Sequence, residues 1–172
     1  MKQGLRSEIS KQENVETPLA EVKKDLEEQL ASEREAGLVD ITLGREGIKL
    51  FFNSSSFYES GEANLLPTGQ RIIDKVTLAM NELGYYKFKV DVEGHTDNVP
   101  INTPIYPSNW ELSVARASEV VKYFIKEGIE PERIKASGYA DTKPLVPHVD
   151  EQGNDIAENR ALNRRIVVRI YY

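Results

Sequence analysis

Apolar positions recur at two different periods along this chain, and the alternation between the periods predicts its architecture. Leu19, Val22, Leu26 and Leu30 form a narrow stripe on a charged segment that Pro18 opens and Gly37 ends, with Thr17 in the capping position. That pattern predicts a helix. The stripe spans fewer than two heptads, which is too short for a long coiled coil. It predicts a solvated helix docked loosely on a domain, with a linker or dimer-contact helix as the alternative. Two short strands follow at 39–43 and 48–52, joined by the turn Gly44-Arg45-Glu46-Gly47. Residues 53–64 are rich in Ser, Asn, Glu and Gly and read as a loop. A second helix runs from Pro67 to Gly84, with Ile72, Ile73, Val76, Met80 and Leu83 at helical spacing.

Lys87 to Glu93 then alternates, with Phe88, Val90 and Val92 on one face of a half-buried strand. Ser108 and Glu111 have the spacing of a capping box, and the helix they open ends at Gly128. Projected at helical period, Trp110, Val114, Ala117, Val121, Phe124 and Ile125 share the expected core face. Asn109, Leu112 and Arg116 share another stripe. Arg133 to Tyr139 reads as a strand, Asn159 to Asn163 as a helical turn, and Arg165 to Tyr171 as a last strand. Tyr139, Tyr171 and Tyr172 read as half-buried sheet residues. Strand pair, helix, strand, helix, strand, loop, strand is the order of an α/β (α+β) two-layer sandwich, one mixed sheet with helices packed on it. Residues 1–17 carry no sustained periodicity and predict a weakly ordered start. The domain is expected at 38–172, with 1–37 a linker or plug-like helical segment.

Composition narrows the function more than the fold. A net charge of −6 over 172 residues lacks the basic stripe of a nucleic-acid binder. No apolar run approaches the roughly 20 residues that cross a bilayer, and the start lacks the apolar core of a signal peptide. With no cysteine, disulfides and thiolate metal sites are excluded.

The candidate chemistry lies between Val90 and Ala117. Asp97 follows a strand end beside Gly94 and Thr96, and Arg116 follows on the next helix with Asn109 and Leu112 on its stripe. An ordinary turn aspartate and a solvated arginine are the plain readings of these two. Against them stands Leu112, which needs a partner off the core face: either the loop 98–108 or a ligand's methylene chain. One acid and one base from neighbouring elements suit a zwitterionic ligand: Arg116 grips a carboxylate and Asp97 receives an ammonium group. The N–H groups of the helix start at Asn109 favour the same carboxylate. His95 and Asp97 make an H-x-D pair, but no third ligand is spaced to complete a metal site. Ser113 has no evident base. No catalytic residue, metal or cofactor is expected.

GHTD at 94–97, NWELSVARA at 109–117, GIEPERIKASGYADTKP at 128–144 and NRRI at 163–166 occur in order, and together they resemble the OmpA-like peptidoglycan-binding domain. Within that family the GHTDNVPI and YPSNWELS segments look most like the flagellar stator subunits of the MotB type. The resemblance implies a β-α-β-α-β-β fold that binds the diaminopimelate residue of the peptidoglycan stem peptide without metal. It implies Asp97 and Arg116 as the ligand's acid and base, Thr96, Asn109 and Leu112 as pocket lining, and Asn163 and Arg164 as its NRR edge. Asn53 stands where the family usually has an aspartate. By resemblance, the domain is the periplasmic part of an inner-membrane protein. It is expected to be a homodimer, joined to a MotA-like membrane subunit through an N-terminal transmembrane helix that this chain does not contain. A static envelope tether of the OmpA or Pal type, and a subunit of a non-flagellar ion-driven complex, are the alternatives. A metal-dependent cell-wall amidase using His95 is the remote one.

Overall fold

A computed structural model describes residues 18–82 and 88–172. The expectations placed on residues 1–17, on Leu83 and Gly84 as a helix end, and on Lys87 lie outside the described residues.

Five strands form one mixed sheet: β1 (Val39–Gly44), β2 (Gly47–Asn53), β3 (Lys89–His95), β4 (Ile134–Gly138) and β5 (Arg165–Tyr171), in the spatial order β1-β2-β5-β3-β4. β1, β2, β5 and β3 pair antiparallel in turn, and β3 pairs parallel with β4. The hairpin turn sits where the sequence places it, with Gly44 opposite Gly47. Period-2 alternation divides the sheet into an apolar face and a charged face. Ile48, Leu50, Phe52, Val90, Val92, Ile166, Val168 and Ile170 are buried on one side. Lys49, Asp91, Glu93, Arg165 and Arg169 occupy the other.

The three longest helices pack on the apolar face. α1 (residues 18–29) is followed by the short α2 (Ala31–Glu35), then α3 (Pro67–Glu82), α4 (Asn109–Lys126) and the one-turn α5 (Arg160–Asn163). Ile72, Ile73, Val76 and Met80 of α3 enter the core as the spacing predicts. The loose docking expected for α1 is corrected. Val22, Leu26 and Leu30 are fully buried and Leu19 nearly so, and all four belong to the same core cluster as the sheet. A narrow stripe suffices because every residue in it is covered almost completely. Lys75 of α3 also bonds Glu33 of α2 at 2.6 Å, tying the segment to the domain.

The expected core face of α4 is corrected too. Trp110 and Val114 are 50% and 45% exposed, while Leu112, Ser113, Arg116, Ala117, Val120 and Phe124 are buried. The helix is turned so that its small residues meet the sheet, because its backbone comes too close for large ones. A Cβ on Gly94 would sit 2.1 Å from the Ser113 carbonyl oxygen, and one on Gly138 would sit 2.5 Å from the Val114 nitrogen. Two glycines and one serine thus set the helix against β3 and β4 at backbone contact. Ser113 is structural: its hydroxyl donates to the Trp110 carbonyl and accepts from the Ala140 N–H.

Leu26→Ala removes a fully buried side chain of α1. A loss of about 2–5 kcal/mol is expected in urea unfolding. A loss below about 0.5 kcal/mol, typical of surface positions, would return α1 to the status of a loosely docked appendage.

Candidate functional site

The C-terminal end of β3, the loops 54–61 and 96–101, the first two turns of α4 and the turn carrying Arg160 and Arg164 enclose a cleft of about 560 Å³. Asp97, Thr96, Asn109, Leu112, Arg116 and Arg164 all line it, so six of the seven expected site residues come together. Asn163 does not line it. Its side chain is fully buried and clamps the loop 145–148: Oδ1 accepts from the Leu145 and Val146 N–H groups, and Nδ2 donates to the Val146 carbonyl. Its neighbour Arg164 reaches the cleft because the chain leaves α5 in extended conformation there.

Arg116 is 6% exposed, and the protein itself supplies most of its solvation. Nε donates to the Glu62 carbonyl (2.7 Å), Nη1 to Ser54 Oγ (3.2 Å) and Nη2 to the Glu59 carbonyl (3.2 Å). The guanidinium carbon lies 4.9 Å from the centroid of the Tyr58 ring. Tyr58 in turn donates its hydroxyl to the Arg116 carbonyl at 2.7 Å, and burial raises the pKa of that phenol, keeping it a donor. Burial lowers the pKa of Arg116, against the opposing pull of Tyr58, Tyr106 and Asp97. The group nonetheless stays charged. Two of its five N–H donors remain for a ligand.

Asp97 and Arg116 do not pair with each other. Asp97 Oδ1 accepts from the Val99 N–H (3.0 Å), the ordinary turn bond, while Oδ2 accepts from Arg164 Nη1 at 2.6 Å. One oxygen thus makes the turn bond of the plain reading, and the other faces a cation of the protein itself. Asn109 fixes the facing loop by donating to the Val99 carbonyl at 2.9 Å, and Leu112 is 4% exposed in the cleft wall. Asn53 caps the short 3-10 turn Ser54–Ser56 by accepting from the Ser55 N–H. That cap aims Ser54 at Arg116.

Sequence reasoning missed Ser54, Tyr58 and Arg160 as lining residues. The adjacent aromatics Phe57 and Tyr58 inside a polar loop were the available signal, since such a pair needs a core to enter. Arg160, four residues before Arg164 in the chain, is held by Asp155. The H-x-D pairing fails geometrically. β3 ends at His95, so the period of the strand does not carry on to Asp97, and the two side chains line opposite sides of the sheet. Among the described residues no three His, Cys, Asp or Glu side chains converge as metal ligands.

Fold and cleft define a ligand-binding domain of the mixed-sheet α/β class, with three arginines and the carboxylates of Asp97 and Glu59 around a polar hollow. The chain belongs to the OmpA family, which matches it over residues 57–161. It is 37% identical over 125 residues to the uncharacterized protein YtxE of Bacillus subtilis, across 72% of this chain and 48% of that protein. It is 29% identical over 124 residues to motility protein B of Helicobacter pylori, across 72% of this chain and 46% of that protein. The chain thus spans about half the length of these relatives. The structure of the cell wall anchor of the T6SS from Pseudomonas aeruginosa superposes with a TM-score of 0.74 at 30% identity, covering 87% of this chain and 98% of that one. The OmpA-like, MotB-type resemblance read from the motifs therefore stands, and the chain is a binding module rather than an enzyme.

Ser54→Ala leaves one buried Arg116 N–H without its acceptor. An unfolding free energy lower by about 1–3 kcal/mol is expected. An unchanged urea midpoint would show that Ser54 does not hold the arginine.

Proposed function

We propose that this domain grips peptidoglycan through the diaminopimelate of its stem peptides and so anchors an ion-driven, MotB-type stator to the cell wall. The observation that carries the reading is the placement of Asp97 and Arg116 in one cleft of an OmpA-family fold. The ligand's carboxylate takes the two free donors of Arg116, and its methylenes lie against Leu112. Its ammonium group takes Asp97, where it competes with Arg164, the cation already on that carboxylate. Each charge-assisted bond contributes about 1.5–3 kcal/mol when shielded, and less on the exposed Arg164 side of the cleft. The affinity of one cleft is therefore modest. A wall polymer with many copies of the ligand raises retention through multivalency. On this reading the domain is periplasmic, pairs with a second copy, and joins a MotA-like subunit through a membrane helix upstream.

Similarity to the T6SS cell wall anchor favours a second reading with the same ligand: a tether in another envelope machine. The N-terminus of the full-length gene product separates the two. A single transmembrane helix with an internal aspartate supports the stator, and a lipobox or a barrel supports the tether.

Co-sedimentation with purified sacculi tests the site. Asp97→Ala and Arg116→Ala are expected to lose most retention relative to wild type, with folding checked by circular dichroism. Arg164→Ala, which frees Asp97, is expected to keep or improve it. Equal retention of the wild type and the first two variants would remove the assignment.

A further inference from the structure

The family motifs face two ways, and the cleft accounts for only one of them. Thr96 and Asp97 of GHTD and Arg164 of NRRI line the site described above. His95 and Arg165, their immediate neighbours, point to the opposite face of the sheet, together with Tyr139 and Lys143 of GYADTKP. There they line a second hollow of about 420 Å³, which the proposed ligand does not use.

The floor of this hollow is built rather than merely solvated. His95 is 3% exposed, Asp91 4% and Arg165 7%, although no helix residue lines the hollow. The His95 ring stacks on Tyr139 at 5.3 Å between centroids, and Lys143 Nζ stands 3.8 Å over the centroid of the same tyrosine ring. Arg165 is fixed by donating to the carbonyls of Asn163 and Lys143. Three buried nitrogens of the lining residues, His95 Nδ1, Arg165 Nε and Arg169 Nε, have no hydrogen-bond partner among the described residues.

The charges do not balance. Glu46 pairs with Lys49, Asp91 with Arg169 and Lys135, and Glu93 with His95 at 3.1 Å. Five lysines and arginines thus meet three carboxylates in a protein whose net charge is −6. Among the described residues Lys143 and Arg165 have no carboxylate within 4.0 Å, and Arg165 also bears the cost of burial. Burial keeps His95 on the neutral side, because its pKa is lowered. The excess over the whole lining is therefore two positive charges, one where Lys135 and Arg169 share Asp91 and one where Lys143 and Arg165 stand near Glu93.

We infer that this open-face hollow is a second binding site, specific for a doubly charged oxyanion of the phosphate monoester type. A phosphoryl group carries about −1.5 to −2 charges at neutral pH, matching the excess, and its oxygens accept from a lysine and an arginine at once. A carboxylate would leave one cation uncompensated. The site lies on the other side of the sheet from Asp97 and Arg116, so its occupancy is independent of the wall ligand.

Inorganic phosphate titrated into the 15N-labelled protein tests it, with chloride at equal ionic strength as the control arm. Saturable shifts at the amides of His95, Tyr139, Lys143 and Arg165 are expected in phosphate but not in chloride. Lys143 is exposed, so Lys143→Gln leaves the fold intact; it is expected to weaken phosphate by about tenfold, the value of one charge-assisted bond. Lys143→Arg is expected to retain binding, and so is Arg116→Ala, which separates this site from the wall-binding cleft. Four outcomes would overturn the inference: no saturation, equal shifts in chloride, shifts centred on Arg116, Arg160 and Arg164, or an affinity unmoved by Lys143→Gln.

Discussion

A guanidinium taken out of water must be solvated again by the protein, and much of this structure follows from doing that for Arg116. An unpaired buried charge costs several kcal/mol, and no carboxylate lies within ion-pair distance of this one among the described residues. The loop 54–62 meets the requirement with two carbonyls, one hydroxyl and one aromatic face. A segment with no helical or strand periodicity is thereby held in one conformation by a side chain more than fifty residues away. The same contacts form one wall of the cleft. Arg116 therefore orders its own site, and a ligand finds the remaining donors already aimed.

The second constraint is the backbone contact of α4 with β3 and β4. Gly94, Gly138, Ser113 and Ala117 let the helix sit where larger side chains would hold it away. That closeness brings the first two turns of α4 beside the end of β3, and it places Asn109, Leu112 and Arg116 next to Thr96 and Asp97. It also turns Trp110 and Val114 outward. The termination of β3 at His95 completes the division, sending His95 to the open face and Asp97 to the cleft.

Strand and helix order was legible in the sequence because each element carries its own period, and because Gly44-Arg45-Glu46-Gly47, Ser108 and Gly128 mark ends by local chemistry. The residues of the cleft were largely legible for the same reason: Asn109, Leu112 and Arg116 lie on one helical stripe, and Asp97 lies just past a strand end. What escaped depends on distance along the chain. The partner of Asp97 is 67 residues away, at Arg164, and Tyr58 belongs to a loop without periodicity. The facing of α4 escaped because a projection weights bulk, whereas here the closest approach selects small residues. Asn163 was misplaced since it closes α5 and turns inward to hold the loop 145–148, so only Arg164 of that pair reaches the cleft. The firmness of α1 was underread because stripe width counts the apolar residues of the helix and not how completely each is covered.

The charge pattern of the cleft adds an order to recognition. Among the described residues Arg116 keeps free donors and no counter-ion, and Arg164 neutralises Asp97 until something replaces it. The hollow therefore presents positive charge first, and a carboxylate is attracted without displacing any group of the protein. An ammonium group gains Asp97 only by competing with a tethered arginine whose side chain is 44% exposed and well placed to turn away into water. Exchanging one exposed ion pair for another is nearly neutral in free energy. The carboxylate then supplies most of the affinity, and the ammonium decides chiefly which carboxylates stay.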